Sequence, residues 1–150
     1  TDGDRMATCT AVSTPGAHLE VCIFDAPAER YEDFARREAR LQHQVVDFTE
    51  DGGGVGRGIM CTAWSDEEYR KERICDEADY HEQVGRFYTG KLWRDDLLPV
   101  PRYLSLVVEA HRELDARLGT TRFSDNLLQH TFLGDGTRLD SFLEKENATS

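Results

Sequence analysis

Basic residues are scarce in this sequence: 18 Lys and Arg stand against 29 Asp and Glu, leaving a formal net charge of −11. That balance argues against nucleic acid or an anionic membrane surface as a partner, because either requires a cationic stripe. Long hydrophobic runs are also missing. The longest reach four or five residues, so the chain is not expected to span a bilayer. The four cysteines, Cys9, Cys22, Cys61 and Cys75, form no CxxC pair, and no histidine stands at zinc-ligand spacing beside them. Cys22 and Cys61 fall inside apolar, strand-like runs, where free cysteine serves as a small hydrophobe. The set reads as that of a reducing compartment, cytoplasm or organelle interior, with an oxidised pair as the minority alternative. The five histidines show no HxxxH spacing, and no GxSxG occurs. Neither a metal nor a cofactor is therefore expected. Residues 1–17 hold no h-region and no basic amphipathic pattern, so they carry no targeting signal. The start at Thr1 reads as processing, truncation or a partial gene product.

A phosphate-binding loop is excluded on similar grounds. Asp51-Gly52-Gly53-Gly54-Val55-Gly56-Arg57-Gly58 matches neither GxxxxGK[ST] nor a full GxGxxG, and no helix follows to offer its N-terminus. A hairpin turn between two strands explains it better. Asn147-Ala148-Thr149 is a glycosylation sequon by letter only. Gly85–Arg94 mixes cations with aromatics, but its acidic flanks (Asp76, Glu77, Asp79, Glu82, Asp95, Asp96) favour an intramolecular or interface patch over nucleic acid.

What is present suits one globular domain: 150 residues, 39% hydrophobic and 31% charged. Residues 1–17 form a polar arm or loop, residues 18–146 a domain, and 147–150 a tail. Leu19–Phe24 predicts a strand. Asp25-Ala26-Pro27 predicts a helix start, with Asp25 as cap, and the helix runs to about Gln42. Gln44–Thr49 and Gly58–Trp64 predict two more strands. Ser65-Asp66-Glu67-Glu68 is a capping box opening a helix; Glu67–Arg94 is weakly helical. Beyond Pro99 and Pro101 a strong helix runs from Arg102 to about Leu118, its apolar face made by Tyr103, Leu106, Val107, Ala110, Leu114 and Leu118. A short helix near Arg138–Lys145 ends the pattern. Three short strands leave both sheet edges open. Either residues 1–12 add a strand, or a missing N-terminal segment or a protein partner completes the sheet.

One position stands out. Tyr31, Phe34, Glu38, Leu41 and Val45 follow one helical stripe, and its middle member is a carboxylate. A buried glutamate must be paired, lie at a stripe edge, or be functional. Desolvation there raises a carboxyl pKa into the range useful for proton transfer. The plainer reading has Glu38 at the edge, paired with Arg36, Arg37 or Arg40.

Taken in order, these landmarks resemble the gamma-glutamylcyclotransferase-like superfamily. Phe34-Ala35-Arg36-Arg37-Glu38 resembles the F-x-x-R-E segment of one subgroup, and Val45-Val46 the strand after it. Cys61–Tyr69 and Gly85–Asp96 resemble further landmarks. Pro101-Arg102-Tyr103-Leu104 is similar to the family's P-S-x-x-Y-L helix start, and Leu127–Leu143 to its C-terminal stretch. The resemblance spans about residues 17–144.

It implies an α/β (α+β) fold: a small mixed barrel, incomplete on its N-terminal side, with a helical C-terminal half. It also implies cleavage of a gamma-glutamyl amide to 5-oxoproline and an amine. Glu38 matches the general base, and Tyr31, Phe34 and Tyr103 are the substrate-pocket candidates. The family's Tyr-Gly-Ser substrate loop does not occur in this chain; in that fold it precedes Thr1. Without its backbone donors most of the rate advantage is lost, so the chain alone is expected to be inactive. A rival expectation follows: a non-catalytic accessory subunit of a larger, organellar complex. A third is a module that keeps the pocket to sense gamma-glutamyl compounds.

Overall fold

At Glu50–Gly54 the chain reverses direction. The Gly53 N–H donates to the Glu50 carbonyl at 2.8 Å, and the Glu50 N–H donates to Gly54 at 2.7 Å. Gly53 has φ +81°, a value that favours glycine. The turn joins β2 (Gln42–Thr49) to β3 (Val55–Thr62) in an antiparallel ladder running from Gln42↔Thr62 to Thr49↔Val55. The computed structural model describes residues 5–86, 89–90 and 92–149. Phe87, Tyr88 and Lys91, within the aromatic-cationic segment, lie outside them.

Among the described residues the structure is mixed α/β, with six α-helices and two two-stranded ladders, neither of them closed. The chain divides into two units: Thr1–Cys9, Pro15–Cys22 and Arg94–Ser150 form one, and Thr10–Thr14 with Ile23–Trp93 the other.

In the unit containing the hairpin, Ala28–Arg30 makes a 3-10 turn and α1 covers Tyr31–Arg37. The predicted helix to Gln42 is therefore too long. Glu38 already has ψ +24°, the Leu41 N–H turns back to the Glu38 carbonyl at 2.9 Å, and Gln42 enters the ladder. Strand pairing overrides helix propensity at this point. Asp25 does not cap; Pro27 holds the N-cap position without a side-chain bond.

The sheet is a hairpin, not the three-stranded set expected. Leu19–Phe24 joins no ladder. None of its apolar side chains is buried, so its β propensity has nothing to pack on. Cys22 is exposed rather than a core residue. The expected polar arm is partly ordered: Ala11 bridges Thr62 on the outer edge of β3, and the Ala63 N–H donates to the Ala11 carbonyl at 3.1 Å.

Ser65 opens α2 (Asp66–Arg73) as the sequence predicts. Its hydroxyl accepts the Glu68 N–H, while the Glu68 carboxylate accepts the Ser65 N–H. Asp66 then accepts the backbone N–H groups of Leu92 and Trp93 at 3.0 and 2.9 Å. Next come α3 (Glu77–Tyr80), capped by Asp76, and a π-type turn at His81–Gly85 that buries Val84. Arg86 pairs with Glu82 at 2.6 Å, in keeping with an intramolecular charge patch.

In the other unit, β1 (Arg5–Ala7) pairs in parallel with β4 (Leu98–Pro99). Pro101 begins α4 (Pro101–Leu118), and Gly119, at φ +65°, ends it. Leu104 and Val108 pack with Leu139 of α6 (Leu139–Thr149), surrounded by Leu127, Leu128, Leu133, Phe142 and Leu143. The buried face of α4 thus runs through Leu104, Val108 and Asp115. Leu106 and Leu118, expected inside, are 57% and 59% exposed. Asp115 lies on this buried face, where its carboxylate caps α5 (Arg122–His130) through the N–H groups of Phe123 and Ser124. Helix α6 extends past the expected end, into residues read as a tail.

Candidate functional site

Residues opposite each other in a ladder share a face. On one face of the hairpin this sets His43 against Cys61, Val45 against Ile59, Asp47 against Arg57 and Thr49 against Val55. Helix α1 meets this face at its His43 end. Val45, Ile59 and Val55 remain 59%, 52% and 83% exposed. The opposite face is half-buried, with the Phe48 ring lying across Gly56.

His43 gathers the α1 side chains around itself. Its ring centroid lies 5.2 Å from that of Phe34, and 6.1 Å, edge-on, from that of Tyr31. The Tyr31 hydroxyl stands 3.3 Å from Nδ1, and Nε2 stands 3.4 Å from the Glu38 carbonyl. Arg37 reaches over the Phe34 ring, 5.8 Å from its centroid, and its Nε donates to Glu38 Oε1 at 2.9 Å. The Glu38 side chain is 29% exposed. It lies at the edge of the cluster with a guanidinium partner, the plainer of the two arrangements the sequence allows. The expected stripe does not continue, since Val45 points to solvent from β2.

The same charges act on Cys61. Burial pushes its thiol up, the Glu38 carboxylate pushes it further, and Arg37 opposes both. Sequence reading brought Tyr31, Phe34 and Glu38 together and missed His43 and Cys61. A signal for them existed. Centring the hairpin on Gly52 rather than further along sets these two opposite each other.

Tyr103 belongs to the other unit. Its hydroxyl accepts the Cys9 N–H at 3.2 Å. Burial raises the Tyr103 hydroxyl, and the neighbouring Cys9 adds to that shift. Cys9 as a residue is exposed, yet its sulfur is crowded: burial pushes the thiol up, and the hydrogen bond with Tyr103 only partly offsets it.

Among the described residues no cluster of three His, Cys, Asp or Glu side chains is arranged to hold a metal ion. No helix among them is long and apolar enough to cross a membrane. All four cysteines are free. Chemically, the Glu38 cluster offers a half-buried carboxylate, a phenol, an imidazole and an aromatic wall. Such a set can take up and return a proton beside a small polar molecule. Compared with protein-family models, curated proteins and solved structures, the chain finds no match.

Proposed function

We propose that this chain carries the catalytic-glutamate portion of a gamma-glutamylcyclotransferase-like domain, an incomplete mixed barrel, with Glu38 as its general base. The substrate's α-amine attacks its own γ-carbonyl carbon. Glu38 takes the proton from that amine and returns one to the departing nitrogen as the amide C–N bond breaks. The products are 5-oxoproline and a free amine. No cofactor enters these steps.

The observation that carries this reading is Glu38 itself, its backbone carbonyl against His43 Nε2 and its carboxylate paired with Arg37, at the end of the hairpin where Tyr31 and Phe34 meet His43. The sequence order of Phe34-Ala35-Arg36-Arg37-Glu38 and the landmarks after it supports it independently. The test is 5-oxoproline release from gamma-glutamyl dipeptides by this domain joined to an upstream Tyr-Gly-Ser substrate segment, because the chain alone is expected to be inactive. Release that disappears in Glu38→Gln, with the fold kept, is the expected result; release unchanged in that variant overturns the assignment.

Two observations favour a second reading, a non-catalytic accessory subunit. Arg37 already occupies Glu38, and the hairpin leaves an apolar face uncovered. No donor loop of the Tyr-Gly-Ser type is present to hold the developing oxyanion. The same assay, with the substrate-loop segment supplied, separates the two, because an accessory subunit still releases no 5-oxoproline.

A further inference from the structure

A helix of two turns, separated from the next strand by a short turn, cannot by itself fix the direction of its last side chain. Helix α1 is such a helix, and Glu38 is its C-terminal capping residue. Something outside α1 must hold its two ends in register with the hairpin. The contacts of His43 do so at both ends: one ring nitrogen meets the hydroxyl of Tyr31 in the first turn, and the other meets the backbone carbonyl of Glu38 itself. Phe34, in between, lies against the ring.

The chemistry of the two partners fixes the proton on the ring. A backbone carbonyl can only accept, so Nε2 must carry the hydrogen that it donates to Glu38. In the neutral ring Nδ1 is then an acceptor, and the Tyr31 hydroxyl donates to it. Both α1 contacts are served by one tautomer.

We infer that His43 is the positioning residue of the Glu38 site, an imidazole clamp in the Nε2–H tautomer that spans α1 from Tyr31 to the Glu38 carbonyl and sets where the carboxylate stands. This deepens the cyclotransferase reading and rests on it for the function of Glu38, but its geometry does not depend on turnover. His43 acts through Glu38 rather than on a substrate. The groups that meet its ring are the Tyr31 hydroxyl, the Phe34 ring and the Glu38 carbonyl from α1 and its cap, with Cys61 opposite it on the facing strand.

Cys61 supplies a reporter that needs no substrate, because its thiol feels the Glu38 charge. The experiment is a double-mutant cycle on the full chain, with iodoacetamide alkylation of Cys61 followed by site-resolved mass spectrometry. Replacing Glu38 by Gln removes a negative charge and should speed Cys61 alkylation about 3-fold near pH 8. In a His43→Phe background the same replacement should change the rate little, because the carboxylate no longer stands where the thiol feels it. In a His43→Gln background, which keeps one donor and one acceptor, the 3-fold effect should return. An undiminished effect in His43→Phe overturns the proposal, since a merely packed ring leaves Glu38 in place.

Long-range proton–nitrogen correlation on the wild-type imidazole gives a second readout that holds even if His43→Phe does not fold. An Nε2–H ring is expected; an Nδ1–H ring overturns the clamp. Neither readout involves 5-oxoproline. A clamp that survives both tests, in a domain that shows no turnover even with the substrate-loop segment supplied, therefore counts against the cyclotransferase reading alone.

Discussion

The carboxylate of Asp115, near the end of α4, accepts the backbone N–H of Phe123 in the first turn of α5 at 3.0 Å. The Ser124 N–H and hydroxyl donate to its other oxygen at 2.8 and 2.6 Å. One helix thus caps the next. The Asp115 residue is 4% exposed, and four helix-start donors are normally left without partners inside a helix.

Burial pushes the Asp115 carboxyl up, but the Ser124 hydroxyl and amide, with the Phe123 amide, outweigh it and hold the group below the usual carboxylate range. A depressed folded-state value contributes stability that is complete above the unfolded value of about 4, and is lost as pH falls through the lower folded value. Asp115→Asn should lower the thermal midpoint at pH 7 by about 5 °C and flatten the acid limb of the stability profile. Thermal melts of both proteins between pH 7 and pH 2.5 check this. Parallel curves would contradict it.

Gly134 tests a close approach of two backbones. A Cβ added there would stand 1.8 Å from the Asp95 carbonyl oxygen, and neither backbone segment can swing aside like a side chain. Gly134→Ala should cost about 3 kcal/mol in urea unfolding. Gly52→Ala, in the open hairpin turn with nothing within 4 Å, should stay within about 0.5 kcal/mol.

Asn126 tests the fate of the unpaired strand segment. Its side-chain oxygen accepts the Glu20 N–H at 3.1 Å, and its amide nitrogen donates to the His18 carbonyl at 3.4 Å. Asn126→Ala should free that stretch and raise cleavage after Glu20 by a glutamate-specific protease about 10-fold. Native-state proteolysis read by mass spectrometry provides the measurement, and equal cleavage rates would refute the anchoring role.

Arg37 opposes the upward shift of the Cys61 thiol. Removing it in Arg37→Gln should therefore slow Cys61 alkylation about 2-fold near pH 8, opposite in sign to the effect of Glu38→Gln. A faster rate would mean that Arg37 acts by covering the thiol rather than by its charge.

Local signals in the sequence located the elements whose instructions are local. Ser65 and Glu68 define the start of α2, Pro101 and Gly119 bound α4, and the Gly52–Gly54 run makes the hairpin turn. Signals that depend on a partner misled. Leu19–Phe24 alternates like a strand, but the backbone of its first half is bound by a side-chain amide of α5, about a hundred residues away in sequence. Periodicity carried α1 five residues too far because it could not see Gln42 enter the ladder. It also turned α4 toward Leu106 and Leu118, because a charged residue such as Asp115 carries no weight in an apolar pattern even when α5 satisfies it completely. For the site, Glu38, Tyr31 and Phe34 were legible from spacing within one segment. His43 and Cys61 required the register between two segments.

The unit holding α4 is discontinuous in sequence, and this orders events during synthesis. Cys9 meets Tyr103 across 94 residues, and β1 meets β4 over a similar span. The intervening hairpin unit ends at Trp93 and can form while the ribosome is still making α4. Strand β1 must wait, unpaired, until the proline-bounded β4 segment has left the exit tunnel. A chaperone that holds unpaired nascent strands therefore matters more to this chain than to one in which β1 pairs with the next strand.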